Sequence, residues 1–155
     1  MINFTKLCSE ARIPKRGTSG SVGFDITGVE GKVIPPNSTV TIRTGLKVDG
    51  MQAGFYGQLV SRSGLCLKKN LTTLCGVIDP DFRGEIKVIL HNLSPTESTR
   101  VEKGERISQI LFLPFVAPPN LRNRSIRHFR HQGGLGSTDT VANTVKNYYA
   151  YKRKQ

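Results

Sequence analysis

Glycine and proline interrupt this chain at short intervals, and that spacing constrains the fold more than any other feature. The 155 residues include 16 glycines and 8 prolines, and no long stretch before the C-terminal tail repeats its apolar residues with a helical period. The Pro35-Pro36-Asn37-Ser38 segment is one clear turn signal. Short elements between frequent turns are typical of an all-β domain. At this length one domain can bury a core of its own.

Alternation of apolar with polar residues marks the predicted strands. Residues 40–48, 55–60 and 86–90 each alternate in this way, as expected of strands with one buried face. Residues 107–115 are apolar on both faces, which predicts a strand buried on both sides. Regularly spaced short strands predict an all-β, jelly-roll-like barrel or sandwich.

The most informative single stretch covers residues 76–86. Apolar runs at residues 74–78 and 86–90 flank a cluster of proline, acids and glycine, and this pattern predicts a β-hairpin. A carboxylate on a rigid hairpin can activate a water molecule, and exposed backbone beside a ring can recognise a flat base. An ordinary acidic turn is the alternative. The acidic and aromatic candidates are Asp79, Asp81, Phe82 and Glu85.

Two candidate sites precede this stretch. Asp25 follows Gly23 between apolar residues, so it is expected within a strand, where it would either bind a metal through water or cap a turn. Arg62, Ser63 and Gly64 combine a guanidinium, a hydroxyl and a glycine. This set either binds phosphate oxygens or forms a surface turn. One or two helical turns are expected to follow it, with their N-terminus towards the same anion.

Two further candidates follow it. Gln109 is a polar residue inside the apolar strand and needs a partner, which is either core backbone or a ligand. Residues 133–138 are rich in glycine and hydroxyls and follow Arg130. They can fold over a phosphate chain or serve as a flexible linker. They match neither a Walker loop nor a dinucleotide fingerprint.

The net charge of +12 is unusual for a chain of this size. From Arg106 onward there are nine lysines and arginines against one acid, Asp139. Such a basic C-terminal third suggests an anionic partner, either a nucleotide's phosphates, nucleic acid or a membrane surface. No nucleic-acid-binding motif and no basic amphipathic helix supports the last two. We therefore expect neither nucleic acid nor a membrane as the partner.

Cysteine usage and the N-terminus bear on the compartment. Cys8, Cys66 and Cys75 are an odd number without zinc-type spacing, so reduced thiols are expected. The start of the sequence lacks the apolar core of a signal peptide. We expect a cytoplasmic or nuclear protein that is not secreted.

Taken in order, these five stretches resemble the five motifs of the homotrimeric deoxyuridine triphosphatases (dUTPases). The resemblance covers residues 10–138, and the third motif is its most specific part. The matching segments are residues 21–26, 62–65, 76–85, 104–110 and 130–138.

The resemblance implies a jelly-roll-like β-barrel that assembles as a homotrimer with active sites shared between subunits. It implies hydrolysis of dUTP to dUMP and pyrophosphate with Mg²⁺. Asp79 matches the aspartate that deprotonates the attacking water, and Asp25 matches the one that reaches the metal through water. Gly76 and Lys87 match positions whose backbone pairs with uracil, and Phe82 matches the ring that packs on the deoxyribose.

The remaining matches concern the phosphates and the arm that closes over the nucleotide. The phosphate-contacting positions correspond to Arg62, Ser63, Gly64 and Gln109. The arm positions correspond to Arg130, Leu135, Gly136, Ser137 and Thr138. The implied organisation is a core over residues 1–128, a closing arm over 129–138 and a basic extension over 139–155.

The chain departs from the family pattern in three places. Phe82 stands where tyrosine is usual, and Leu135 stands where an aromatic usually stacks on the base. Residues 139–155 extend beyond the usual end of the fifth motif. A helix is expected in this extension, which could bind a protein partner or a neighbouring subunit.

Three other functions remain open at this level. A regulatory protein on the same fold, with nucleotide-dependent partner binding and weak catalysis, would account for the departures. A dCTP deaminase on the related fold would change the chemistry at the base. A nucleic-acid-binding module would use the basic tail. Retention of Asp25, Arg62, Asp79 and Gln109 together favours the enzyme.

Overall fold

A computed structural model describes residues 2–116, and nearly all of its regular structure is β-strand. Its elements, in chain order, are β1 (Asn3–Lys6), β2 (Lys15–Arg16), β3 (Phe24–Thr27), β4 (Lys32–Ile34), β5 (Thr39–Gly50), β6 (Phe55–Val60), α1 (Ser63–Lys69), β7 (Leu71–Leu74), β8 (Val77–Ile78), β9 (Ile86–Asn92), β10 (Thr99–Val101) and β11 (Arg106–Pro114). The prediction of an all-β domain is confirmed, as is that of a short helix after Arg62.

The strands form two larger sheets and a small one, with antiparallel pairing throughout. One sheet has the order β1-β5-β9-β7, the second the order β2-β3-β11-β6-β8, and a two-stranded sheet pairs β10 with β4. Buried side chains from both larger sheets, including Ile42, Val88, Leu59 and Ile110, belong to one apolar cluster. The core therefore joins the two larger sheets.

The alternating patterns correctly locate β5, β6 and β9. Every second residue of β9 is buried, beginning with Ile86, because successive side chains of a strand point to opposite faces. The strand predicted over residues 107–115 is also present as β11. Burial on both faces holds only for Ile107 and Ser108, since Gln109 and the residues from Leu111 to Leu113 are partly exposed.

The hairpin predicted around residues 76–86 is wrong in its pairing. β7 pairs with β9, with Leu74 opposite Ile89, but β8 crosses to the other sheet and pairs with β6. The chain turns at Cys75, which has a φ of 50°, a conformation that residues other than glycine, asparagine and aspartate adopt rarely. A strand of two residues that pairs with a distant segment left no distinct periodic signal.

Candidate active site

One charged cluster centres on Asp25, the second residue of β3. Its Oδ1 accepts a hydrogen bond from Arg62 Nε at 2.8 Å, and its Oδ2 accepts one from an Nη of Arg106 at 3.0 Å. An Nη of Arg62 also donates to the backbone carbonyl of Arg106 at 3.1 Å. Charge-assisted bonds at two positions fix the direction of the Arg62 guanidinium. Its remaining N–H groups are thus pre-oriented for an anion.

The sheet explains why these distant residues meet. β11 lies between β3 and β6, and Gln109 of β11 is opposite both Asp25 and Val60. Directly opposite residues in a sheet lie on the same face. Arg62 follows two residues after Val60, where β6 ends. The register therefore brings candidates from three of the predicted stretches to one place.

Gln109 has its partner in the backbone. Its Nε2 donates to the carbonyl of Ser61 at 3.1 Å. Its Oε1 occupies the space that a Cβ on Gly23 would need, so glycine at position 23 lets the amide lie there. Of the two partners considered for Gln109, this structure shows the backbone.

The start of α1 has unused space beside the same cluster. A Cβ added to Gly64 would meet no atom within 4 Å, and the residue is exposed. Arg62, Gly64, Lys68 and Arg106 contribute to a depression of about 230 Å³, and the one carboxylate in its lining, Glu105, is paired with Lys69. The first N–H groups of a helix have no partner within the helix. This depression is therefore suited to a negatively charged ligand.

A second group of candidates lies where β7 leaves β9. Counting on from Leu74 and Ile89 in the antiparallel register places Gly76 level with Lys87. The two strands have already separated there, because Gly76 turns towards β6 and its carbonyl accepts a hydrogen bond from Leu59 N at 2.7 Å. A Cβ on Gly76 would overlap the Leu59 carbonyl oxygen. We call the region between Gly76 and Lys87, beyond the end of the pairing of β7 with β9, the slot.

Asp79, Asp81 and Phe82 of the third stretch differ in how far they are buried. Asp79 is half-buried and directly follows β8, and its carbonyl accepts a hydrogen bond from Phe82 N at 3.0 Å. Phe82 is only 7% exposed and belongs to the apolar cluster. Asp81 is exposed.

Glu85 does not face the slot as a ligand group but holds neighbouring residues of β5 by hydrogen bonds. Its carboxylate binds Arg43 Nε at 3.2 Å and accepts from Gly45 N at 2.9 Å. The hydrogen bond that Arg43 donates to Glu85 and the negative charge of that carboxylate raise the pKa of Arg43. Arg43 lies opposite Lys87, so this pair anchors the far side of the strand that borders the slot.

β6 connects the two groups of candidates. Leu59 binds Gly76, while Ser61 and Arg62, just beyond the end of β6, contact Gln109 and Asp25. A short stretch of one chain thus holds both the slot and the charged cluster. The predicted arm residues, which lie outside the described residues, are Arg130, Leu135, Gly136, Ser137 and Thr138.

Arg106 is the residue that the sequence left without a role. It stood inside the fourth stretch, but its bond to Asp25 joins residues 81 positions apart, and no local pattern encodes that distance. A cation directly before the strand predicted over residues 107–115 was the one available signal. Thr27, opposite Arg106 in the sheet, gave none.

Comparison with known proteins identifies the family. The family model described as dUTPase matches residues 9–139. The chain belongs to the dUTPase family. A deoxyuridine 5'-triphosphate nucleotidohydrolase of Hydrogenobaculum sp. is 42% identical over 137 residues, covering 86% of this chain and 94% of the relative. The enzyme of the same description from Paramecium bursaria Chlorella virus 1 is 37% identical over 134 residues, with the same coverage.

Solved structures of the family show the same fold. The dUTPase of Staphylococcus bacteriophage 80alpha with dUpNHpp has a TM-score of 0.72 and 27% identity, covering 88% of this chain and 97% of that chain. The predicted jelly-roll fold of the dUTPase type is confirmed. In residues 2–116 no helix is long and apolar enough to span a membrane, and no group of three or more histidines, cysteines or acids could hold a metal.

Proposed function

We propose that this chain hydrolyses dUTP to dUMP and pyrophosphate with Mg²⁺, as a dUTP diphosphatase of its family. The observation that carries the proposal is that β6 and the residues just after it bind both groups, with Leu59 bonded to Gly76 and Arg62 bonded to Asp25. The cluster suits a phosphate chain and the slot suits a flat base.

The slot would recognise uracil through backbone groups. Gly76 and Lys87 lie level on strands that have separated, so a base between them would meet main-chain donors and acceptors in place of a neighbouring strand. Fixed groups of this kind reject a base with the wrong hydrogen-bonding edge, because buried polar groups would stay unpaired. Phe82 would set one wall, packing on the deoxyribose with the small part of its ring that is exposed.

The phosphates would bind at the charged cluster. Arg62 is oriented by Asp25, and Gly64 leaves open space at the start of α1. The Ser63 hydroxyl and the first-turn amides would add donors. Gln109 would contact a phosphate by exchanging its bond to Ser61 for one to the ligand. Positive charge placed here stabilises the negative charge that develops on departing pyrophosphate.

Asp79 would act as the general base. It accepts the proton of a water whose oxygen forms a bond to the α-phosphorus, and the bond from that phosphorus to the β-phosphate's bridging oxygen breaks. Pyrophosphate leaves with that bonding pair, and dUMP keeps the new oxygen. A well-placed general base contributes about 10²–10⁴-fold to the rate.

The donor set fits a Mg²⁺ ion carried by the substrate's phosphates. Asp25 is one carboxylate beside the cations that would hold those phosphates, and Mg²⁺ commonly keeps several waters while binding through one or two carboxylates and substrate phosphates. Asp25 would therefore hold a metal-bound water, and Arg62 would keep the carboxylate oriented. When bound, the ion neutralises charge on the phosphate chain.

Four assignments complete the proposal. The chain would form a homotrimer with shared active sites, and Arg130 with residues 135–138 would close over the nucleotide. Residues 139–155 remain a candidate site for a protein partner. A cytoplasmic or nuclear location stays a prediction.

The test is pyrophosphate release from dUTP with Mg²⁺, measured against dTTP, dCTP and UTP. We expect release from dUTP alone, and a loss of about 10²–10⁴-fold in kcat for Asp79→Asn. Asp81→Asn is the matched control, because Asp81 is an exposed acid two residues away, and it should keep near-normal turnover. Saturable dUTP binding without release would instead support the regulatory protein.

The fifth motif gives one further prediction. Leu135→Phe restores the aromatic that most of the family carries, and base–aromatic stacking is worth about 1–3 kcal/mol in single-strand-binding proteins. We expect KM for dUTP to fall by about fivefold or more. An unchanged KM, with Leu135→Met as the apolar control, would contradict a stacking role for this position.

A further inference from the structure

A basic groove borders the charged cluster on the side of the N-terminal segment. It has a volume of about 620 Å³. Its lining contains one carboxylate, Asp25, and five cationic side chains. These cations are Lys6, Arg12, Lys15, Arg16 and Arg106.

The sheet register builds the floor of this groove. Asp25 and Thr27 are alternate residues of β3 and therefore lie on one face. Lys15 of β2 is opposite Asp25, and Arg106 of β11 is opposite Thr27. Three neighbouring strands thus present charged or polar side chains to the same side, where the segment from Ala11 to Gly17 forms a wall.

Thr27 supplies an observation that is independent of charge. It is only 7% exposed, and its Oγ1 is the one buried side-chain polar atom without a hydrogen-bond partner among residues 2–116. A buried unsatisfied hydroxyl destabilises a fold, because it has lost its hydrogen bonds to water without replacing them. Because Thr27 lines the groove, an anionic oxygen bound there would be a suitable acceptor for this hydroxyl.

Two of the cations also lack a partner within the described residues. Arg12 and Lys15 are exposed, and neither has an ion pair or side-chain hydrogen bond with another described residue. By contrast, Arg16 donates to the Ser19 carbonyl and Lys6 to the Ser9 carbonyl. The sole carboxylate already binds Arg62 and Arg106. The groove therefore has an excess of unneutralised positive charge.

We propose that this groove is a second anion site, which takes pyrophosphate beside the catalytic phosphate site. Arg106 lines both this groove and the depression at α1, so pyrophosphate released at Arg62 has these cations as its neighbours. The choice of pyrophosphate rests on the proposed function. A nucleic-acid strand suits the groove less well, because its described lining has no aromatic side chain for base stacking.

The experiment is a calorimetric titration of the full-length protein with pyrophosphate in EDTA, at about 0.15 M salt to limit long-range effects of charge. We expect two classes of binding. Arg62→Gln should weaken the class at the catalytic phosphate site much more than the other class, which is affected only because Asp25 then keeps Arg106 as its remaining cation. Arg12→Gln/Lys15→Gln should weaken that other class by at least about tenfold. Lys47→Gln/Arg100→Gln removes the same charge elsewhere and should change neither class.

Thr27→Val tests the hydroxyl itself. We expect about tenfold weaker pyrophosphate binding in the groove class. Without the anion, Tm should stay equal or rise, because valine removes an unsatisfied buried group. Unchanged affinity in Thr27→Val would overturn the role of Thr27. If Thr27→Val does not fold, the exposed Arg12/Lys15 variant still decides whether the groove binds.

Three outcomes would overturn the site. One is a single class of binding that disappears in Arg62→Gln. The second is an equal effect of the two double variants, which would indicate general attraction by charge. The third is displacement of pyrophosphate from the groove class by a single-stranded oligonucleotide whose affinity falls with salt as steeply as contacts to several phosphates require.

dUTP turnover measured on the same samples separates this inference from the proposed function. Normal turnover without a second class would remove only the groove site. Two binding classes without turnover would remove only the catalytic proposal and keep the groove as a site for the pyrophosphate probe.

Discussion

Gly76 borders the slot and Gly64 borders the charged cluster, and the chain requires glycine at only one of them. At Gly76 any side chain would overlap the Leu59 carbonyl oxygen, whereas at Gly64 a Cβ would meet nothing within 4 Å. Neither residue has a positive φ. Close packing of the chain on itself therefore explains Gly76, while nothing described around Gly64 does.

This difference separates two ways of building a site. The slot at Gly76 is formed by the fold, because the same contact that moves β8 onto β6 also separates Gly76 from Lys87. The space at Gly64 is left open beside cations, and a ligand that approaches the backbone would explain it. Substitution by alanine should affect the two positions in opposite ways.

The largest effect is expected from Gly76→Ala. The new methyl group must displace backbone of β6 or β8, so we expect about 3 kcal/mol of lost stability. A shift of about 1 Å at the slot would lower kcat/KM for dUTP by about 100-fold. Urea denaturation and steady-state kinetics would measure the two changes.

Gly20→Ala is the matched control for this substitution. Gly20 is exposed, and a Cβ there would meet no atom within 4 Å. Its stability and activity should stay close to the wild type. Equal behaviour of Gly76→Ala and Gly20→Ala would show that β8 accommodates a side chain and that the slot does not depend on this contact.

Gly64→Ala should have a smaller and mixed effect. Alanine is favoured over glycine in a helix by about 0.5–1 kcal/mol, so the free energy of unfolding should rise. If phosphate oxygens approach this backbone, the methyl group will obstruct them, and we expect KM for dUTP to rise about tenfold. Lower stability with unchanged KM would contradict both parts. Ala substitution at the neighbouring exposed Leu67 gives a helix-surface control.

The sequence predicted what local pattern encodes and missed what depends on distant pairing. Alternation located β5, β6 and β9, since burial of every second residue is a local property of a strand. The sequence predicts the two-residue β8 as part of a hairpin. Its actual partner in β6 lies about twenty residues away, and pairing over such distances leaves no period to detect.

In the candidate site, too, local pattern predicted the individual residues but not the contacts between distant ones. Asp25, Arg62 and Gln109 were predicted as separate candidates, and the resemblance to the family supplied their shared role. The hydrogen bonds that join Asp25 to Arg62 and Arg106 depend on the register of β11 against β3. A bulge between Arg106 and Ser108 changes that register. The role of Arg106 as a partner of Asp25 could not be seen in advance for this reason.

Gly23→Ala should have the smallest effect of the three glycine substitutions. The overlap at this position is with the amide of Gln109, which is the end of a flexible side chain and can move without displacing backbone. We expect little change in the free energy of unfolding. The displaced amide would lose its bond to Ser61 and its proposed phosphate contact, so KM for dUTP should rise by about three- to tenfold.

Gln109→Ala provides the comparison that assigns this effect to Gln109. In the Gln109→Ala background the methyl group at position 23 has no amide to displace, so the double variant should bind dUTP no more weakly than Gln109→Ala alone. Additive losses would show that residue 23 acts on the nucleotide by another route. A large loss of stability in Gly23→Ala would group Gly23 with Gly76, as a glycine required by the packing of the chain on itself.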